Sequence, residues 1–106
     1  MSQLEVRRKA TWNAMEEALV RGDIDAAVSF FSEPRQDRYR AVFTALSGQI
    51  AQIAQDMQDI ELMAAVDGIA QFRIRRLQFY GGQWRTFTYY IRFIQDGSGV
   101  WNIDSF

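Results

Sequence analysis

Residues 59–74 read DIELMAAVDGIAQFRI, and the fold turns on how this stretch is parsed. Two apolar runs, DIELMAAV and IAQFRI, flank Asp67-Gly68. An Asp-Gly pair between such runs marks a tight hairpin, because both central residues of the turn need φ > 0. In the second run Ala70, Phe72 and Ile74 fall on one face, while Gln71, Arg73 and Arg75 fall on the other. Period two therefore governs the chain from residue 59 onward.

Upstream the period is helical. Leu4, Arg8, Thr11 with Trp12, Met15 and Leu19 form one stripe, which predicts a first helix over residues 3–21. Gly22 stands at a C′ position and Asp23 can cap a second, short helix, IDAAVSFF, that buries Ile24, Ala27, Val28 and Phe31. Ser32 and Pro34 mark a restart. A third stripe runs through Tyr39, Val42, Phe43, Leu46, Ile50, Ile53 and Met57, with a bend or short interruption expected at Gly48. The period changes at residue 58.

Downstream, Leu77 and Phe79 lie out of phase with Ala70, Phe72 and Ile74, so a β-bulge is expected near Arg75-Arg76. YGGQ makes the next turn. The following strand sets Phe87, Tyr89, Ile91 and Phe93 on one face and Thr86, Thr88, Tyr90 and Arg92 on the other. DGSG then leads into VWNIDSF, whose Trp101 and Ile103 are expected to be the last inward side chains. Three helical segments followed by four meandering strands predict one α+β domain over residues 1–106, with helices covering one face of a strongly curved antiparallel sheet in a cone-like arrangement.

Composition narrows the chemistry. The 106 residues contain no histidine and no cysteine, which removes Ser-His-Asp triads, Cys-His pairs and zinc sites and leaves no cofactor or metal site to expect. The net charge of −1 argues against a nucleic-acid binder. The charge is divided, with an acidic front half and five arginines after residue 68. No run of apolar residues is long enough to span a membrane, and MSQLEVRRKATW has no apolar secretory segment. The expectation is a soluble domain, cytoplasmic or excised from an envelope protein, with Met1 either the natural start or a boundary.

AMEEALVRGDIDAAVSFF and DGSGVWNIDSF resemble the corresponding parts of the nuclear-transport-factor-2-like superfamily, and of its small bacterial members without assigned activity in particular. The resemblance implies a cystatin-like cone, often with an internal pocket and frequent dimerisation through the sheet. It also implies several uses: ketosteroid-isomerase-like or dehydratase-like enzymes, ligand carriers, and accessory domains of larger proteins. Fold does not choose among these.

The residues rank the choices. A catalytic carboxylate must be buried to reach a useful pKa, and most acids here fall in caps, turns or on outward faces. No residue is assigned a catalytic role; the pairs that would serve are Asp104 or Glu61 with Tyr39 or Tyr89. Trp12, Tyr39, Phe43, Phe72, Tyr89, Phe93 and Trp101 are core aromatics or the lining of an apolar pocket with the tyrosines as polar handles. Arg73, Arg75, Thr88, Tyr90 and Arg92 form an outward sheet surface suited to a protein contact, first of all a homodimer through the sheet face. The expected function is a binding or protein-interaction module, either an accessory domain of a larger bacterial protein or a small apolar-ligand binder. The alternative is an isomerase or dehydratase using Asp and Tyr.

Overall fold

A computed structural model describes residues 3–57 and 59–106; Met1 and Gln58, the position of the period change, lie outside them. Helix α1 spans Gln3–Val20, α2 Ile24–Val28, α3 Gln36–Ala45 and α4 Ile50–Asp56, with a 3-10 turn over Glu33–Arg35 before α3. Strands β1 (Glu61–Val66), β2 (Ile69–Tyr80), β3 (Gln83–Gln95) and β4 (Trp101–Ser105) follow. They form a four-stranded antiparallel sheet in the order β1-β2-β3-β4. The chain is α+β.

Local chemistry sets most boundaries. The Asp23 side chain accepts a hydrogen bond from the Ala26 amide at 3.0 Å, capping α2. The third stripe breaks at residues 46–49 and yields two helices, α3 and α4, so of the bend or short interruption expected at Gly48 it is the interruption that occurs. Asp67 (φ 48°) and Gly68 (φ 80°) make the β1–β2 turn, and Gly81 (φ 62°) with Gly82 (φ 82°) makes the β2–β3 turn. In the last turn Asp96 Oδ1 accepts from the Ser98 amide, the Ser98 hydroxyl and the Val100 amide.

The core lies between the helices and the inner face of the sheet. Trp12, Met15 and Leu19 of α1, with Phe31 and Phe43, meet Phe72, Ile91, Phe93 and Ile103. β4 is fastened on its other side to the segment after α2 through a parallel bridge between Phe31 and Ile103. Phe106, rather than Ile103, is the last inward residue. Its ring meets Trp12 edge-on at 5.1 Å and stacks on Tyr39 at 5.4 Å.

The expected bulge at Arg75-Arg76 is absent. β2 pairs with β3 without interruption from Ile69↔Ile94 to Tyr80↔Gln83. Leu77 and Phe79 therefore share the outward face with Arg73 and Arg75, and their apolar character reflects exposure on an arm, not a change of phase. The irregularities fall instead between Leu62 and Ala64 in β1 and between Arg92 and Phe93 in β3. β1 pairs β2 only as far as Arg73, and β4 pairs β3 only from Arg92, so residues 74–91 form a two-stranded arm. The resulting extents are 46 × 28 × 20 Å.

This register separates two truncations. Leu77→Ala should change the free energy of unfolding by less than about 0.5 kcal/mol, as at other exposed positions. Phe106→Ala should lower it by about 3 kcal/mol, because it empties the aromatic cluster. Urea denaturation measures both, and a large effect at Leu77 would restore the bulge.

Candidate functional site

At the base of the arm, an apolar cleft of about 290 Å³ opens between α1, the end of α4 and the inner face of β2 and β3. Trp12, Met57, Ile74, Arg76, Tyr89 and Phe106 line it. Of the seven aromatics expected at a pocket, Trp12 and Tyr89 are in this lining. Tyr39, Phe43, Phe72 and Phe93 are core residues. Trp101 lies elsewhere, under the guanidinium of Arg8 at 5.0 Å. Two polar handles face the cleft: Tyr89, whose hydroxyl is 3.4 Å from Gln78 Oε1, and Arg76, 3.5 Å from the Asp56 carboxylate.

The residues named for acid–base work are held in structural bonds. Asp104 is buried, with Oδ1 accepting from the Ser32 hydroxyl at 3.0 Å. Its Oδ2 accepts from Arg92 Nε at 3.1 Å and Nη2 at 2.6 Å, and Arg35 stands 3.5 Å away. Burial pushes the Asp104 pKa up, but the hydrogen bonds from Arg92 and Ser32 and the charges of Arg92 and Arg35 outweigh it and hold it below the ordinary carboxylate range. The Tyr39 hydroxyl accepts from the Phe106 amide at 3.1 Å and lies 3.4 Å from the Phe106 carbonyl. Asp104 and Tyr39 thus fasten β4 and its last residue to the helices. Glu61 faces outward between Arg73 (3.4 Å) and Arg75 (3.0 Å).

The outward sheet face is less basic than its sequence suggests. Arg73 and Arg75 share Glu61, Arg92 is paired with Asp104, and Thr88 and Tyr90 are exposed among them. Beyond this neutralised middle, the arm carries Leu77 (57% exposed), Phe79 (63%) and Trp84 (67%) on this face, with Tyr80 (64%) on the other. Phe79 and Trp84 lie edge to face at 5.4 Å. The backbone edge is also open. The Gln95 amide donates to the Gly68 carbonyl at 2.8 Å, so odd-numbered residues of β3 direct their backbone groups at β2. Trp84, Thr86, Thr88 and Tyr90 direct theirs away from β2, where β4 does not reach.

Glu16 is the titratable group that sequence reasoning missed. It lies with Asn13, Gln55 and Asp59 along a surface groove between α1 and α4. Burial raises its pKa to about 7; the Trp12 indole pulls against that rise, and the charge of Asp59 adds to it. The indole N–H is fully buried and faces this carboxylate without closing a hydrogen bond of normal geometry. Glu16 and Trp12 are one helical turn apart, a spacing visible in the sequence, but only the packing of α4 shows that the carboxylate is half-buried.

No family model matches the chain, and neither a curated protein nor a solved structure matches it. Among the described residues no helix is long and apolar enough to cross a membrane.

Two carboxylates with opposite shifts give opposite pH dependences. Between about pH 4.5 and 7 folded Glu16 keeps a proton that the unfolded chain has released, so its contribution to stability falls as pH rises through that window. Glu16→Gln should remove this slope and be more stable than the wild type at pH 8, with the gap closing below pH 5. Asp104, with its pKa lowered, stabilises the fold above its unfolded value and loses that contribution as pH falls through its folded one. Asp104→Asn should cost about 2 kcal/mol near neutrality, since its partners are half-exposed, and less in acid. Denaturant midpoints measured from about pH 2 to pH 8 check both signs, the acid end for Asp104 and the neutral end for Glu16.

Proposed function

We propose that the chain is a non-catalytic binding and interaction module that works through its sheet, with a second copy of itself as the first partner. The carrying observation is the β2–β3 arm. A two-stranded ribbon is marginal in water, and this one presents Leu77, Phe79, Tyr80 and Trp84 with nothing over them among the described residues. At about 200 Å² for each aromatic, roughly 60% exposed, Phe79, Trp84 and Tyr90 with Leu77 offer about 500 Å² on one face, more than half of the ~800 Å² per partner of a standard interface.

Self-association also suits the open edge. Antiparallel pairing of β3 with its own copy, centred on Phe87, sets Trp84 opposite Tyr90, Arg85 opposite Tyr89 and Thr86 opposite Thr88. No like charges meet, and aromatic and Thr–Thr pairs are favourable cross-strand neighbours. The helices-then-meander order is in keeping with the nuclear-transport-factor-2-like resemblance, in which such association through the sheet is frequent. The bonds by which Asp104 and Tyr39 hold β4 favour this reading over the carboxylate–tyrosine enzyme, for which Glu61 and Tyr89 were the other candidates.

Native mass spectrometry over a range of concentrations tests this reading. The wild type should dimerise. Leu77→Ser with Phe79→Ser removes the apolar face, and Thr88→Pro removes an edge amide without touching a β2–β3 bond. Loss of the dimer in either variant supports the arm as the interface; a wild-type monomer, or a dimer indifferent to both, overturns it.

A second reading rests on the cleft. Its volume and apolar lining suit a small ring-bearing molecule with a polar end towards Arg76. Anilinonaphthalene sulfonate should bind there and brighten, and Met57→Trp, which fills the mouth, should reduce the signal at least about tenfold. Equal fluorescence from both proteins would remove the cleft as a site.

A further inference from the structure

Arg8 sits on the inner side of α1, and only 8% of it is exposed. Its Nε is buried with no hydrogen-bond acceptor. Among the described residues it joins no ion pair, whereas Arg35, Arg40, Arg73, Arg75, Arg76 and Arg92 all do. The ring of Trp101 lies under it, at 5.0 Å from the guanidinium carbon. An arginine cannot escape burial by losing its proton at any ordinary pH, so an uncompensated one is a standing penalty. Arg7, the next residue, adds a like charge.

The side chain lines a groove of about 480 Å³ between the start of α1 and the β3–β4 turn. Leu4 and Val100 supply apolar walls, Trp101 a flat floor, and Arg7 and Gln95 further donors. The guanidinium has one face on the indole and its Nε buried, which leaves the N–H edges of its two terminal nitrogens to meet a ligand. Those edges match two oxygens of one acid group.

We propose that this groove is an anion-binding site, in which Arg8, steadied on Trp101, receives the carboxylate of a small organic acid whose flat or apolar body lies against Leu4 and Val100. The site stands apart from the arm and does not depend on how copies associate. Bound anion would give Arg8 the counter-charge that it lacks among the described residues, and Arg7 would add a longer-range attraction.

Thermal unfolding in chloride, benzoate or inorganic phosphate at matched ionic strength tests the site, with wild type compared against Arg8→Met and Arg8→Lys. Arg8→Met keeps the apolar stem and removes the charge, so in chloride it should be at least as stable as the wild type. Benzoate at ten times its dissociation constant should raise the wild-type Tm by about 6 °C, and should leave Arg8→Met unmoved. Arg8→Lys, which retains charge but loses the planar fork, should bind benzoate about tenfold more weakly. A response to benzoate alone supports an organic acid, whereas an equal response to phosphate overturns the need for an apolar body. The proposal fails if neither anion shifts the wild type, if Arg8→Met responds equally, or if Arg8→Met is less stable in chloride.

Discussion

The Ile103 amide donates to the Phe30 carbonyl at 2.9 Å, and the Ile103 carbonyl accepts from the Ser32 amide at 2.8 Å. These two bonds fix β4 between β3 and the helical layer, and the position of the remaining core follows from them. With Ile103 held there, Asp104 falls into the irregularity opposite Arg92 and Phe93, where it reaches Ser32, Arg35 and Arg92 together. Two residues further, Phe106 arrives beneath Tyr39 and against Trp12. One short strand thereby ties the helices after α1 to the sheet and closes the aromatic cluster over α1 itself.

What the sequence revealed was local, and what it concealed was lateral. The turns at Asp67-Gly68 and Gly81-Gly82 and the alternation of Phe87–Phe93 depend on neighbours within a few residues, and they stand as read. The bulge assigned to Arg75-Arg76 failed because an apolar residue was taken to face inward. Leu77 and Phe79 instead continue the outward face, beyond the reach of any helix. The break at residues 46–49 was legible as an interruption at Gly48, but not as two separate helices.

The site residues show the same division. Arg73, Arg75 and Arg92 were correctly set on one face, while their neutralisation by Glu61 and Asp104 is a cross-strand fact that spacing along one strand does not express. Arg8 was legible only as a member of an amphipathic stripe. Its isolation among buried side chains needs the approach of Trp101, ninety-three positions later in the chain. Among the described residues, Arg73, Arg75 and Arg92 on the sheet have carboxylate partners, while Arg8 beneath α1 is buried without one, which is why it stands out from the exposed unpaired arginines.

The late position of β4 also has a consequence for biosynthesis. Synthesis proceeds from the first residue, so the helices and the β2–β3 arm emerge before the strand that binds them together. The arm closes about its Gly-Gly turn through near-neighbour contacts, on the timescale of microseconds expected of a hairpin. Trp12, Phe31 and Phe43 must wait for Ile103 and Phe106 before they are covered. During that interval the nascent chain displays its core aromatics and its arm at once, which is when a holdase chaperone would find the most to grip.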